Sequence, residues 1–295
     1  MLSFKTYKFD YIVLSLKPFN KIGIGVTFSP NLKANVYEAS RLALMFDSNL
    51  VLIHVGEKSS EKESQFHDIL EPFINKGLVF NIVFKSGDPV EVILSVSQEK
   101  KIDLLILGAL QRENFLKYYV GSIARKITRK AQCSILLLIK PSIEQLPCQN
   151  IVVNGLKDPK TKQTIDIAFY VAHHLQSDKI TIVEEIKQDE VSIKIDDDKS
   201  LRKANVLKER IRLREASRIK EVIEKIPEDY TKNITIKSQP IFGKQGYSIG
   251  HYAQIVRADL LVMNAPSKMT FWDRLFPHDI EHILTELPTD VLIIQ

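Results

Sequence analysis

The stretch LLILGALQRENFLKYYVGSIARK, residues 104–126, joins an apolar run that ends at Gly108 to a helical pattern that opens at Gly121 and Ser122. A continuous apolar run is typical of a strand covered on both faces of a parallel sheet. A glycine at its carboxyl end lets the backbone turn sharply or approach a ligand closely. At the far end, Ser122 is placed to cap a helix whose first amides have no acceptor within the helix and attract phosphate. The stretch therefore predicts a strand, a ligand-binding loop and a helix.

Apolar runs recur along the first half, with room for a helix between them. Asp88 and Pro89 give one of these helices a strong start signal, an N-cap followed by proline at the first helical position. Strands that alternate with helices predict an α/β fold whose parallel sheet carries helices on both faces. The predicted strands lie near residues 21–27, 49–55, 79–85, 103–108 and 134–139.

The second half repeats the first. KIDLLILGA (101–109) aligns with RADLLVMNA (257–265), and CSILLLI (133–139) aligns with TDVLIIQ (289–295) at the same separation. Such self-similarity predicts two copies of one domain, with a join near Pro147. We place the domains at residues 1–146 and 147–295. The second-half strands are predicted near residues 150–155, 179–185, 233–237, 258–263 and 290–294.

A charged stretch in the second half, residues 186–204, has no counterpart in the first half. We interpret it as an inserted loop or hairpin, followed by a long helix over about residues 205–226 that ends before Pro227.

Composition excludes several classes of protein. The chain is 44% hydrophobic and 26% charged, as in globular domains. Cys133 and Cys148 are too few for a disulfide framework and lack metal-ligand spacing. No run approaches the roughly 20 apolar residues of a membrane span, and the N-terminus lacks a signal-peptide pattern. We therefore expect a cytoplasmic protein that does not associate with membranes.

The net charge of +5 lies in the first half. Residues 1–145 hold 19 basic and 14 acidic side chains, whereas the remaining residues hold 22 of each. This excess weakly favours an anionic ligand in the first half, although random surface charge explains it equally well. Nothing resembles a basic tail, so no nucleic-acid partner is expected.

The stretch that joins the fourth strand to the fourth helix resembles the signature of the universal stress protein family, G-x2-G-x9-G-S/T. Gly108 matches the first glycine, and Gly121 and Ser122 match the final pair, whereas Gln111 stands in place of the second glycine. LVLIHVGE (50–57) is similar to the family's second strand. The resemblance covers nearly the whole chain twice and implies a tandem UspA-like protein.

The family's fold implies two five-stranded, Rossmann-like domains of the adenine nucleotide alpha hydrolase type. The last strand of each domain commonly forms the dimer edge in this family. In a tandem chain the two last strands, 135–139 and 291–295, can pair with each other to give an intramolecular pseudo-dimer. Association of two such chains into a homodimer stays open, as does any protein partner.

The resemblance also implies a site for ATP or AMP between the first and fourth strands of the first half. In nucleotide-binding members the first strand ends in an Asp that contacts the adenosine moiety, and Thr27 holds that position here. Val55 matches an apolar contact of the adenine. The phosphate end is thus largely kept and the nucleoside end is altered. The predicted site comprises Val26, Thr27, Val55, Gly108, Gln111, Gly121, Ser122 and Ile123.

The second half departs further from the signature. Asn264 and Ser267 replace the two glycines, Pro277 and His278 replace the Gly-Ser pair, and Leu156 holds the Asp position. Proline has no N–H to offer a phosphate. We therefore expect no nucleotide in the second half.

Two histidines of the second half, His278 and His282, are four residues apart and share a helical face with Glu281 as a third candidate ligand. Incidental surface histidines are the favoured interpretation, so no metal is expected. No catalytic constellation is present in the sequence.

Three functions follow from these observations. We favour a stress-response regulatory or binding protein that holds ATP or AMP in its first domain and is not an enzyme. A nucleotide-independent interaction scaffold of the same fold is the first alternative, favoured by Thr27 and Gln111. A weak ATPase is the second, and no catalytic base can be named for it.

Overall fold

A computed structural model of the chain describes residues 17–111, 118–187, 190, 193–194, 196–244, 247–265 and 283–295. The first half contains β1 Lys21–Val26, α1 Leu32–Met45, β2 Asn49–Val55, α2 Ser60–Ile74, β3 Phe80–Lys85, α3 Pro89–Glu99, β4 Leu104–Gly108, β5 Leu110–Gln111, β6 Tyr118–Tyr119, α4 Ser122–Lys130 and β7 Ser134–Leu138. The second half contains β8 Asn150–Asn154, α5 Thr161–Leu175, β9 Lys179–Lys187, α6 Asp198–Ile223, α7 Glu228–Thr231, β10 Thr235–Gly243, α8 Tyr247–Ile255, β11 Leu260–Asn264 and β12 Asp290–Ile294.

Ten of these strands form one sheet in the order β10-β9-β8-β11-β12-β7-β4-β1-β2-β3. Within each half the five strands are parallel and follow the same order, as a duplicated unit requires. The halves meet at β7 and β12, which pair antiparallel with Leu137 opposite Val291. The predicted α/β fold and the pairing of the two last strands are therefore confirmed.

Helices cover both faces of the sheet. Residues of α1, α2, α5 and α6 pack on one face in a continuous apolar core that runs through both halves. Residues of α3, α4 and α8 pack on the other face. Asp88 caps α3 as predicted, since its carboxylate accepts hydrogen bonds from the amides of Val90 and Glu91.

A repeated aspartate fixes the start of the first strand in each half. Asp103 Oδ2 accepts hydrogen bonds from the amides of Asn20 and Lys21, at 2.9 and 3.0 Å. Asp259 Oδ2 accepts equivalent bonds from the residues just before and at the start of β8, Gln149 and Asn150. The aligned KIDLL and RADLL segments thus carry a structural carboxylate in both copies.

The charged stretch 186–204 is more regular than a loop or hairpin. Residues 186–187 complete β9, and α6 begins at Asp198 instead of near residue 205. A capping box at Asp197 and Ser200 sets the start of α6. The Asp197 side chain accepts a hydrogen bond from the Ser200 amide, and the Ser200 hydroxyl oxygen accepts one from the Asp197 amide. The interpretation of residues 198–204 as part of a loop or hairpin was therefore wrong, because this cap begins the helix at Asp198.

At the seam between the halves, Asp290 Oδ1 accepts a hydrogen bond of 2.8 Å from the Ile139 amide. Burial raises the pKa of Asp290 to about 7; the bond from Ile139 opposes this shift, and the charges of Glu38 and Asp259 add to it. Cys133 and Cys148 are free thiols, and burial raises the pKa of Cys148 to about 12. In the described part of the chain, no helix is long and apolar enough to cross a membrane.

The raised pKa of Asp290 predicts a pH dependence of stability. The folded chain holds this proton more tightly than the unfolded chain, so the contribution is complete below the ordinary carboxyl pKa and is lost as pH rises through about 7. In Asp290→Asn, the free energy of unfolding from urea titrations is expected to fall less steeply between pH 5 and pH 8. The exposed control Asp68→Asn should keep the wild-type slope. An unchanged slope in Asp290→Asn would contradict this assignment.

Candidate functional site

A cleft of about 530 Å³ opens at the carboxyl ends of β1, β2 and β4. Parallel sheets of this kind bind ligands at this edge, where neighbouring connections diverge. The structure brings seven of the eight predicted site residues to the wall of this one cleft; the backbone of Gln111 lies in β5, and its side chain is outside the described part of the chain. The seven are Val26, Thr27, Val55, Gly108, Gly121, Ser122 and Ile123.

The start of α4 forms one end of the cleft. Gly121 is the N-cap in an extended conformation, and Ser122 is the first helical residue. The expectation that Ser122 caps the helix is therefore wrong, and no described side chain caps this end. By helix geometry the first-turn amides have no acceptor within α4. Ser122 and Ile123 are exposed and line the cleft.

None of the described residues that line the cleft is charged. Polar groups come instead from hydroxyls and amides, among them Thr27, Ser29, Asn31 and Asn35. Apolar contacts come from Val26, Ile53, Val55 and Leu107, which form the floor. Such a surface suits a flat apolar group on the floor and an anion at the helix start.

Asn35 is a site residue that the sequence reasoning missed. Its Oδ1 is buried and has no hydrogen-bond partner among the described residues. A Cβ at position 108 would lie 3.6 Å from this oxygen, at ordinary van der Waals distance, so Gly108 and the Asn35 amide are direct neighbours in the cleft. The available signal was a polar residue at helical spacing from Leu32 and Ala39, beside the buried stripe of α1.

The loop over the cleft is attached to the second half. β5 and β6 pair antiparallel above the site, and a Cβ at Gly121 would lie 2.8 Å from Cδ1 of Leu110, so the loop packs closely on the helix start. The Val120 amide donates to Leu284 O at 3.0 Å, and the Leu287 amide donates to Tyr118 O at 2.9 Å. Residues 284–287 therefore hold residues 118–120, just before α4, in place.

In the equivalent region of the second half, charged side chains stand at the ends of β8 and β9. Extending the β8–β9 register by one residue puts Glu184 and Glu185 where His54 and Val55 lie in the first half. Glu185 Oε1 accepts a 2.7 Å hydrogen bond from the Ile249 amide in the first turn of α8. A carboxylate thus stands where the first half offers an apolar wall.

Arg218 of α6 adds a charged group to this region. Its guanidinium donates to Gly155 O and to Glu215 Oε2, the latter at 2.8 Å. Desolvation would raise the pKa of Glu215, but the hydrogen bonds from Arg218 and Arg214 outweigh it and hold the pKa below its ordinary value. Burial raises the pKa of Glu184, whose Oε1 accepts from the Ser238 hydroxyl.

Other second-half positions depart from the family pattern, and the structure describes two of them, Asn264 and Leu156. The Nδ2 of Asn264 donates to Asp158 and Thr161, both at 3.3 Å, whereas its buried Oδ1 has no hydrogen-bond partner among the described residues. Leu156 follows β8 on the loop to α5. The remaining predicted substitutions and the candidate metal ligands lie outside the described residues: Ser267, Pro277, His278, Glu281 and His282. Among the residues that the structure does describe, no group of three His, Cys, Asp or Glu is arranged to hold a metal.

Comparison with known proteins agrees with the sequence resemblance. The model of the universal stress protein family matches residues 57–138. A universal stress protein of Methanothermobacter thermautotrophicus is 30% identical over 64 residues, which are 22% of this chain and 43% of that protein. Another from Bacillus subtilis is 21% identical over 146 residues, covering 41% of this chain and 99% of that protein. The chain thus spans less than half the length of the first of these relatives.

Solved structures share the complete two-half architecture. A functionally unknown protein from Pseudomonas aeruginosa superposes with a TM-score of 0.67 at 16% identity, covering 94% of this chain and 93% of the other. A universal stress protein from Archaeoglobus fulgidus gives 0.64 at 15% identity, covering 94% and 98%. At such identities the likeness shows the fold alone. The family match shows that residues 57–138 are similar to universal stress proteins, and the superpositions show that the chain as a whole has the two-half α/β fold of these structures.

Proposed function

We propose that this protein binds an adenine nucleotide, ATP or AMP, in the first-half cleft and acts as a non-catalytic regulatory protein of the cytoplasmic stress response. One observation carries the proposal. Seven residues predicted from the family resemblance line a single cleft that has an uncapped helix start at one end. In this proposal residues 1–146 form the binding domain and residues 147–295 form a structural domain without a ligand.

Each end of the cleft suits one part of a nucleotide. The adenine lies against Val26 and Val55, whose side chains offer an apolar surface. The phosphates accept hydrogen bonds from the amides of Ser122 and Ile123, where the helix dipole favours negative charge. The Asn35 amide adds a polar group beside Gly108.

Thr27, in place of Asp, changes the nucleoside end of the cleft but still allows a ligand to bind there. Its hydroxyl donates and accepts hydrogen bonds, so it can still meet a ribose hydroxyl. A neutral group also leaves the phosphates without the repulsion that a carboxylate at this position would add. We therefore keep the nucleotide as the proposed ligand although the acidic residue is missing. The described lining offers no general base, and this supports a binding protein over an ATPase.

Ser122→Pro tests the role of the helix start. Proline is favoured at the first helical position and fits the extended conformation of Gly121, so α4 should form normally while the Ser122 amide N–H is lost. Loss of one charge-assisted hydrogen bond costs about 1.5–3 kcal/mol, so calorimetry should show ATP and AMP binding weakened by about tenfold or more.

Ser122→Ala is the matched control, because it removes the hydroxyl but keeps the amide. Its affinity should stay close to that of the wild type, and circular dichroism should show equal helix content in all three proteins. Mass spectrometry of the protein purified without added nucleotide gives an independent readout of bound ligand. If the wild type binds neither ATP nor AMP, the proposal fails and the nucleotide-independent scaffold takes its place. ATP turnover that Ser122→Ala abolishes would favour the enzyme.

A further inference from the structure

A second cavity, of about 370 Å³, lies at the seam between the two halves. Its floor is the sheet face formed by Leu104, Leu136, Leu260 and Leu292, which come from β4, β7, β11 and β12. Its walls are α1 and α5, and the connection at residues 145–148 closes the top. The cavity is thus built from both copies and is separate from the nucleotide cleft.

Most polar groups that line this cavity are engaged within the protein. Arg41 donates to Ser142 O and Ile143 O and pairs with Glu38 at 2.9 Å. Asp259 accepts hydrogen bonds from two backbone amides. Lys140 lies over the ring of Tyr118, 5.5 Å from its centroid. The buried Cys148 thiol stays protonated, since burial raises its pKa to about 12.

Asp290 differs from these groups. Among the described residues, its carboxylate has one hydrogen-bond partner, the Ile139 amide, which occupies Oδ1. Ser134 holds the corresponding place at the start of β7, so the carboxylate breaks the symmetry between the halves. The cavity is largely apolar and contains one carboxylate oxygen, Asp290 Oδ2, without a hydrogen bond from the described residues. It is therefore complementary to a ligand that carries an N–H donor on a hydrocarbon group.

We propose that the seam cavity binds a small organic cation, a primary alkylammonium with a short hydrocarbon chain, with its ammonium on Asp290. The hydrocarbon chain lies on the leucine floor and gains the free energy of apolar burial. The ammonium donates to the free Asp290 oxygen in a partly dry environment, where a charge pair is stronger than in water. A ligand in this place contacts both halves at once.

Hexylammonium and 1-hexanol serve as probes of equal chain length that differ in charge. Calorimetry on the full chain at pH 8 should show that hexylammonium binds about tenfold or more tightly than 1-hexanol, a difference of about 1.4 kcal/mol. Hexylammonium affinity should fall from pH 8 to pH 6 because Asp290 takes up a proton. The alkylammonium, with a pKa of ~10, stays charged over this range and does not contribute to the change. Glu38, Arg41, Lys140 and Asp259 are the other charged groups at the cavity.

Asp290→Asn should remove the preference for the cation and leave weak binding of 1-hexanol, whereas the exposed Asp68→Asn should bind as the wild type does. Met45→Trp, which fills the α1 wall, should abolish binding of both probes and keeps the test valid if Asp290→Asn fails to fold. The proposal is overturned if hexylammonium does not bind, if both probes bind wild type equally, or if Met45→Trp leaves binding unchanged.

Discussion

Replacing Phe66 with alanine is expected to lower the free energy of unfolding by about 3–5 kcal/mol, the range for large aromatic truncations in cores. Phe66 on α2 is fully buried, and its ring lies 5.1 Å from that of Phe28 and 6.0 Å from that of Phe84, between centroids. The truncation removes these contacts and leaves a cavity that the surrounding strands and helices fill only partly.

The consequence extends toward the first-half cleft. The His54 ring packs on Phe66 and donates from Nδ1 to Val26 O at 3.2 Å, so the cluster supports the strand end that carries Val26 and Thr27. Urea denaturation measures the stability loss. Ile74→Ala is the matched control, since Ile74 ends the same helix and is 40% exposed. If both variants lose the same free energy of unfolding, Phe66 does not stabilise the core in the way described here.

Arg218→Ala is expected to destabilise the chain by about 1.5–3 kcal/mol, because it removes a charge-assisted hydrogen bond from the buried Glu215 and leaves the more exposed Arg214 as the partner of that carboxylate. The side chain of Glu215 is 8% exposed, and that of Arg218 is 26% exposed. The substitution also removes the donor to Gly155 O in the second half. Thermal unfolding should show a lower midpoint, with a single transition if the two halves unfold together.

Arg214→Ala provides the comparison. Arg214 contacts the same carboxylate at 2.8 Å, but its side chain is 58% exposed, so its loss should cost about 1 kcal/mol or less. The pKa of Glu215 lies below its ordinary value, so the stability that the pair contributes is present above the ordinary carboxyl range and is lost as pH falls through the lowered pKa. The difference between wild type and Arg218→Ala should therefore narrow in acid. Equal losses for the two arginine variants would contradict this assignment.

Much of the fold was predictable because it depends on patterns that are local in sequence. Alternating apolar runs and helix starts specify a parallel α/β sheet, and the aligned KIDLL and RADLL segments reveal the duplication. The Gly121-Ser122 pair pointed to the α4 end of the cleft, because helix-start amides bind anions and because the pair matches the signature that the sequence resembles.

The features that were missed depend on contacts between distant segments. Asn35 acquires its importance from Gly108, which lies far along the chain but beside it in space. In the sequence, Arg218 cannot be distinguished from the other charged residues of a solvated helix. The fold places its guanidinium against Gly155 O. The early start of α6 depends on a reciprocal cap of two short polar side chains, Asp197 and Ser200, inside a stretch that charge alone marks as a loop.

The pairing of β7 with β12 limits how this protein can be divided. A fragment cut at the connection near Pro147 would expose the N–H and C=O groups of β7 along an apolar edge, Ile135 to Leu137. Such edges promote aggregation. The fragment would also lose Leu284, the acceptor that Val120 uses beside the cleft. The second half is thus required as the permanent neighbour of the first, much as one subunit is in an obligate dimer.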